Sequence, residues 1–595
     1  FFTIQSSSCW RSVSPQQQQD YSNTHQDSRP PTKFSGGIMK GEDETMKRGD
    51  DNSSDEEAAN VNQVRVALFL APSVSDRSLE IPNHGQPMAV PADIGRKGLA
   101  ALLNHLLDRK PSSKDDDGDD SNSDSSDDED DHDHDDDEKL PALTFEFIVG
   151  KTNRLLRKGV DKEARQHGLS MEEAIDVTYF PASNAPTLSG DNEEQPDWVS
   201  CLSSVETQKE DPFVVSGCYD GSIHVFQQQN LQGKEDDSDD DMSGDGNQKT
   251  GGLAKIGVAS AASGPIKALA TTANKSGERE FFVASASMDH TVAIHSYSHD
   301  KENNSLKHYG QCVASTAGHP LLNPISCLDF APSTSQSCLL AGGDNKGSIS
   351  IWDITAATSS DVAMEERTKK QKTSSGKKKS TSSTKNIAPV LTMENAHSQR
   401  ISGLSWGNHL IHVNSDGNIP INPTNLITGS WDHSIKLFDV ENQNCILTLN
   451  GSRVVACLDT SYHSEGVLAT GHPDCTIRLW DIRANNTDGS ELGLKPSSLK
   501  VSDTTFRPSH RSWVSGVRWC PTNAYHLSSC SHDGTIKLWD IRSSNPLHTV
   551  RVAPKDEKSL CLLWGPSTRG SSPSSDHGRV LYAGGTERII KQLFV

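Results

Sequence analysis

Serine, histidine and aspartate return together along this chain, and near its C-terminal end His510, Ser529 or Ser531, and Asp533 form such a set. In a hydrolase these types supply a nucleophile, a general base and the acid that orients it. A nucleophile also needs oxyanion donors and a substrate cleft, and sets that recur copy after copy fit better as buried polar groups that satisfy one another. Catalysis is therefore not expected. Gly150-Lys151-Thr152 follows an apolar run, as in a phosphate-binding loop, but that motif needs a glycine five positions before its Gly-Lys pair, where Phe145 stands. The twelve cysteines never form a C-x-x-C pair, which points to free thiols in a reducing compartment rather than zinc ligands or disulfides. His132 and His134 stand among aspartates and could hold divalent cations weakly; such a run is expected to stay solvated, or to meet a basic partner such as a ribosomal protein or histone. No intrinsic metal site and no cofactor are expected.

The elements that must position these residues repeat. SHDGTIKLWD (Ser531 to Asp540), GHPDCTIRLWD (Gly471 to Asp481) and SWDHSIKLFD (Ser430 to Asp439) each place a turn aspartate six positions before an aromatic: Asp533 and Trp539, Asp474 and Trp480, Asp432 and Phe438. Asp220 to Phe226 and Asp289 to His295 keep the interval in weaker copies. Trp352 ends another copy in which Lys346 holds the six-back position and Asp344 lies upstream, and Glu587 with Leu593 marks a degenerate last copy. The turn aspartate supplies the side-chain-bonded geometry of a tight hairpin. The strand after it alternates inward apolar with outward polar residues.

The 595 residues would allow three or four domains, but only 33 % are hydrophobic, so less of the chain folds than its length suggests. Sixteen acidic residues lie in Asp115 to Glu138, and without them the net charge of -23 would be -7. The acidity thus belongs to an insert, and the remainder lacks the concentrated positive face that nucleic acid requires. Residues 1–60, which begin with Phe rather than Met, read as a disordered leader, with Met39 a possible true start. A small α+β module follows over 61–183: strand VRVALFL from Val64, a helix over Ile94 to Leu107, the acidic insert 111–139, strand Leu143 to Val149, a short helix in VDKEARQHGLS, and strand Ala174 to Phe180. Residues 184–595 carry the repeats, with disordered inserts expected at 227–252, 358–388 and 484–504. KKQKTSSGKKK at 369–379 has the composition of a nuclear localisation signal. No apolar stretch reaches the length of a membrane helix and no signal peptide is evident, so the chain reads as soluble and intracellular, without a membrane partner.

The WD dipeptides at 352–353, 480–481 and 539–540 and the seven ordered copies resemble the WD-repeat family over about 400 residues. The fold class that follows is mainly β: a seven-bladed WD40 β-propeller preceded by the small α+β module. Asp220, Asp289, Trp352, Asp432, Asp474, Trp480, His510, Asp533 and Trp539 are its structural signature residues. FEFIVGKTNRLLRKGV, HGLSMEEAIDVTYF, DWVSCL and HRSWVSGVRWCPT, in that order, resemble the family of the ribosome-biogenesis WD-repeat protein twelve, YTM-one in yeast. The resemblance implies a ubiquitin-like (NLE-type) module and a non-catalytic assembly factor for the large (60S) subunit and pre-rRNA processing. It implies a place in the PeBoW complex with pescadillo and block-of-proliferation protein homologues. Residence would be nuclear: nucleolus and nucleoplasm. It further implies that midasin, an AAA ATPase, grips the module through a Mg²⁺ completed by a carboxylate after the Gly168-Leu169-Ser170 turn, which is Glu172, with Glu173 adjacent. Direct RNA contact is not implied beyond the pre-60S particle itself. The alternatives are a notchless-like midasin substrate, which would have eight blades, and a substrate receptor or signalling scaffold.

Overall fold

The computed structural model describes residues 63–109, 141–205, 212–228, 252–273, 280–331, 338–354, 385–407, 425–481, 499–500, 509–565 and 580–595, apart from 75, 151–153, 167, 171–172, 184, 190–193, 301–302, 464–465 and 544. The leader 1–60, the acidic insert 111–139 and the basic segment 369–379 lie outside the described residues.

The N-terminal module is one mixed sheet with two helices. Its elements are β1 (Gln63–Leu70), β2 (Pro87–Pro91), α1 (Arg96–Leu106), β3 (Phe145–Val149), α2 (Val160–Gln166) and β4 (Ile175–Pro181). The sheet order is β2-β1-β4-β3, with β1 and β4 parallel and the outer pairs antiparallel. Alternation in the strands sends Val66, Leu68, Phe145, Phe147, Val177 and Tyr179 into one core. Leu99 and Leu103, four apart, bring α1 onto it, and Val160 with Ala164 brings α2. Buried Tyr179 donates its hydroxyl to Leu79 O at 2.9 Å and accepts from Ile81 N at 3.2 Å, pinning the β1–β2 connection. The two chain ends that flank the acidic insert are clasped together. Asn104 Nδ2 donates to Leu143 O at 2.8 Å while its Oδ1 accepts from Leu143 N at 2.9 Å.

Sequence patterning points to a strand followed directly by a helix at the start of this module. The structure places β2 between them, an edge strand whose boundary prolines hide it and whose unpaired side tolerates them.

Seven further sheets are present among the described residues. Their inner strands are Val199–Val205, Ile266–Ala273, Ile325–Phe330, Ile401–Trp406, Cys457–Thr460, Val514–Trp519 and Ser559–Trp564, first to seventh. Each inner strand packs against the next, and the seventh against the first, so the contacts run in a ring and the fold is a β-propeller. Apolar clusters lie between neighbouring sheets, as where Leu527 and Trp539 of the sixth meet Ala469 and Leu479 of the fifth. The seventh sheet takes its outer strand from the other end of the repeat region. There β5 (Thr187–Leu188) pairs with Lys591–Phe594 through Leu593↔Leu188 and Phe594↔Thr187, and Ser189 N donates to Gln592 O at 3.0 Å. The ring is thus closed by hydrogen bonds between strands far apart in sequence.

Three expected inserts are shorter than the composition suggests. Gln227 and Gln228 complete the strand Ser222–Gln228, Asn386–Ile387 pairs in parallel with the outer strand of the second sheet, and Leu499–Lys500 pairs with Arg478 and Leu479. Outer strands are held by backbone hydrogen bonds, which a polar sequence makes as well as an apolar one. No described helix is long and apolar enough to cross a membrane.

Candidate interaction surfaces

The turn that follows α2 is built by backbone geometry. Gly168 has φ +67°, and Gly168 N and Leu169 N bond back to Arg165 O and Ala164 O, a glycine helix stop. Leu169 turns inward and packs on the module core, while Ser170 and Glu173 are exposed. Met171 and Glu172 lie outside the described residues.

In the sixth sheet the sequence-predicted residues come together with the connectivity of a triad. His510 Nδ1 lies 3.1 Å from Asp533 Oδ2, and its Nε2 lies 2.8 Å from Ser529 Oγ. The indole of Trp539 donates to the same Ser529 Oγ at 2.8 Å. The ionised Asp533 can only accept, so Nδ1 carries the proton toward it, and Nε2 of the neutral imidazole accepts from the serine hydroxyl. Burial holds the His510 pKa below its ordinary value, in keeping with that tautomer. Asp533 also accepts from Arg511 N, Thr535 N and Thr535 Oγ1, which together with His510 hold its carboxyl well below the usual range despite desolvation. Ser529 is 0 % exposed and His510 1 %, so no substrate reaches this hydroxyl. It is a brace between strands, not a nucleophile.

The other copies vary the brace. His397 bridges Asp432 and Thr428 at 2.9 and 2.8 Å, and Phe438 stands where an indole would donate. In the fifth sheet His472, from the turn itself, reaches Thr470 at 2.7 Å, and Trp480 donates to that threonine at 2.8 Å. Asp474 there pairs with Arg478 at 2.7 Å. Asp289 accepts from Ser263 N and Oγ in place of a histidine, and Asp220 from Ser222 N at 2.9 Å. Trp352 donates instead to Val313 O at 3.1 Å, because glycine, Gly342, stands where Ser529 does in the sixth sheet. His397, His472 and Ser263 escaped the sequence analysis. The inserts and substitutions that break the spacing hide them.

In the first, second, fourth and sixth sheets the residue just before the turn aspartate bonds back to the approach to its own inner strand: Tyr219 N to Trp198 O, Met288 N to Pro265 O, Trp431 N to Arg400 O, His532 N to Trp513 O. These positions therefore share one face of the ring. It carries Trp198, 42 % exposed, against Tyr219, with Lys267 Nζ 4.4 Å above the tyrosine ring; Met288 is exposed beside them. Arg400 lies over Trp431, and Trp513 stacks on His532. Exposed Trp198 and Met288, with half-buried aromatic and cationic side chains around the face, are of the types that anchor protein interfaces.

The family model described as WD domain, G-beta repeat matches residues 187–227, 310–353, 388–439, 443–481 and 502–540. Residues 266–300 of the second sheet and 559–594 of the seventh, where His295 and Leu593 stand at the aromatic position, fall outside those matches. A Ribosome biogenesis protein WDR12 homolog of Chlamydomonas reinhardtii is 25 % identical over 512 residues, 84 % of this chain and 92 % of the relative. Proteins of the same name from Nematostella vectensis and from Oryza sativa subsp. japonica are 25 % and 26 % identical, covering 88 % and 84 % of this chain and 100 % and 93 % of their own. The chain carries WD repeats and is similar over most of its length to proteins named WDR12 homologs. The similarity spans the N-terminal module as well as the ring, which a match to repeats alone would not.

One polar group between inner strands of the ring also escaped the sequence analysis. Asp329 accepts from Trp406 N at 3.0 Å and Asp459 from Trp519 N at 2.7 Å, with Arg518 Nη1 3.5 Å from Asp459. Burial pushes Asp329 up to about 7 and Asp459 up to about 6. All eleven cysteines among the described residues are free thiols, and those with a shifted pKa are raised by burial.

Proposed function

We propose that this chain is a non-catalytic assembly factor for the large ribosomal subunit, working on pre-60S particles in the nucleolus and nucleoplasm. The observation that carries the reading is similarity over both module and ring to relatives named as ribosome biogenesis proteins. The seven sheets are the blades of the propeller. The ring is the scaffold that joins pescadillo and block-of-proliferation protein homologues, and its contact with pre-rRNA is indirect. Its aromatic face is the surface that protein partners use. The module is ubiquitin-like, a reading supported by a sheet whose first and last strands run parallel at its centre with a helix crossing it. Midasin grips it through Glu172, whose carboxylate completes the ATPase's Mg²⁺ shell, because a hard cation takes carboxylate oxygen.

Glu172→Ala is expected to abolish chelator-sensitive capture of midasin in pull-downs while pescadillo capture is unchanged. Midasin capture equal to wild type would remove this mechanism. Trp198→Asp combined with Met288→Asp is expected to lower capture of the ring's protein partners at least about tenfold, as loss of an anchor pair does, with the melting temperature unmoved. Undiminished capture would place the partners elsewhere on the ring. A notchless-like protein would have eight blades, and the seven sheets among the described residues favour the first reading. A ligase substrate receptor or signalling scaffold would have no use for the exposed turn after α2.

A further inference from the structure

The module meets the sixth sheet at one corner. Leu155 N donates to Arg542 O at 3.2 Å, Arg157 Nε donates to Ser543 Oγ at 3.0 Å, and His548 Nε2 lies 3.2 Å from Ser183 O. The Arg542 guanidinium lies between two rings, 4.0 Å from the Tyr525 centroid and 4.9 Å from that of Phe180. Two segments of the module, around Leu155–Arg157 and Phe180–Ser183, thus converge on Arg542, Ser543 and His548 of the ring.

Both sides of this contact are built in advance. On the ring, Asp540, 1 % exposed, receives Arg542 Nε at 2.9 Å and Nη2 at 2.6 Å, a two-point pair that fixes the guanidinium plane. On the module, Arg157 Nη1 pairs with Glu146 at 3.2 Å, and Arg96 holds the same carboxylate at 3.1 Å. Glu146 is 4 % exposed, so the contact is rooted in the interior of the module. Ile175, Val177 and Tyr179 of β4 face the module core, and Phe180, next along the strand, alternates to the side that meets Arg542.

The module has a second attachment, and it is covalent. From the end of β4 at Pro181 the chain reaches β5 at Thr187, the strand that closes the ring through only two paired positions. A pull on the turn at Gly168–Ser170 enters β4 at its opposite end from Phe180, about 16 Å away for five residues of strand. Were the linker the sole connection, that pull would run straight into β5 and peel it from the seventh sheet.

We propose that the sixth-sheet corner is a load-bearing latch: it docks the module rigidly on the ring and diverts force applied at the turn away from the strand that closes the propeller. This rests on the reading of the module as the handle of an ATPase, and names how that handle transmits force. The latch makes the ring leave the particle as one closed body.

The test uses the full chain and needs no ATPase. Arg542→Ala with Ser543→Ala removes the cation and one acceptor from the ring side and leaves the module core untouched. Hydrogen exchange at the Leu155 amide is expected to quicken about tenfold in this variant, with the inner strands of the ring unchanged. In an optical trap, with handles at Ser170→Cys and at the exposed native Cys445, the first rupture is expected at lower force in the double variant and to release residues 187–189. Equal first-rupture forces overturn the proposal, whether or not exchange quickens. Unchanged exchange at Leu155 overturns it as well. Failure of midasin to bind the wild-type chain would instead defeat the handle reading, and this measurement would not move.

Discussion

Asp533→Ala is expected to destabilise the ring by about 3–5 kcal/mol, the range for removing one partner of a buried, multiply bonded carboxylate. The size follows from what is left behind. The substitution strips an acceptor from His510 Nδ1, Arg511 N, Thr535 N and Thr535 Oγ1 together, and the histidine is enclosed between strands where water cannot replace the carboxylate. Asp289→Ala is the internal control. That carboxylate serves Ser263 and Thr291 on a more open turn and is bonded to no histidine, so its loss is expected to be about 1–2 kcal/mol. Asp533→Asn should fall between the two, since one oxygen remains. Urea midpoints for the three variants give the ordering. Equal midpoints for Asp533→Ala and Asp289→Ala would show that the histidine brace adds nothing to the turn.

The same brace explains which parts of the fold could be read from residues alone. Where a copy keeps Asp, six positions and Trp, as at Asp533 and Trp539, local turn chemistry and strand alternation coincide, and the hairpin is visible without any tertiary information. The core strands of the module were legible for the same reason. What could not be read depends on partners distant in sequence. β5 is two exposed residues whose role exists only because Leu593 and Phe594, some four hundred positions on, lack an outer neighbour. His472 does in the fifth sheet what His510 does in the sixth, but from inside the turn rather than from the preceding loop, so no fixed interval finds it. The corner that joins Arg157 to Ser543 carries no periodic signal at all, because a contact between separate units is chosen by geometry and not by spacing.

Acid should act on this ring through two opposed sets of groups, and separating them is the second large effect expected. His224, His295 and His472 are each at most 2 % exposed, and burial holds all three at about 4. An unfolded histidine titrates near 6.5, so protons favour the unfolded chain: the stability these groups confer is complete above about 6.5 and falls as the pH drops toward 4. At pH 5 each has lost about 2 kcal/mol relative to pH 7, about 5 kcal/mol for the three, which is comparable with the whole stability of many domains. Asp329 and Asp459 work in the other direction. Burial raises them to about 7 and about 6, above the unfolded carboxylate, so they destabilise the ring at neutral pH and cease to do so as they take up protons. Over the same interval they return about 1–2 kcal/mol each, so these five groups together should cost the native protein only about 2 kcal/mol between pH 7 and 5, and Asp289 and Asp432, at about 2, add their losses only in stronger acid. Asp329→Asn combined with Asp459→Asn removes the compensation: each amide keeps a carbonyl oxygen to accept from Trp406 N or Trp519 N, but it has no charge to desolvate. The double variant is therefore expected to be more stable than the native chain at pH 7 and to lose about 5 kcal/mol by pH 5, with the two melting curves converging as the pH falls. A double variant whose stability follows the native profile in parallel across this interval would mean that the two carboxylates are already ionised without penalty, and that Arg518, 3.5 Å from Asp459, neutralises the pair in full.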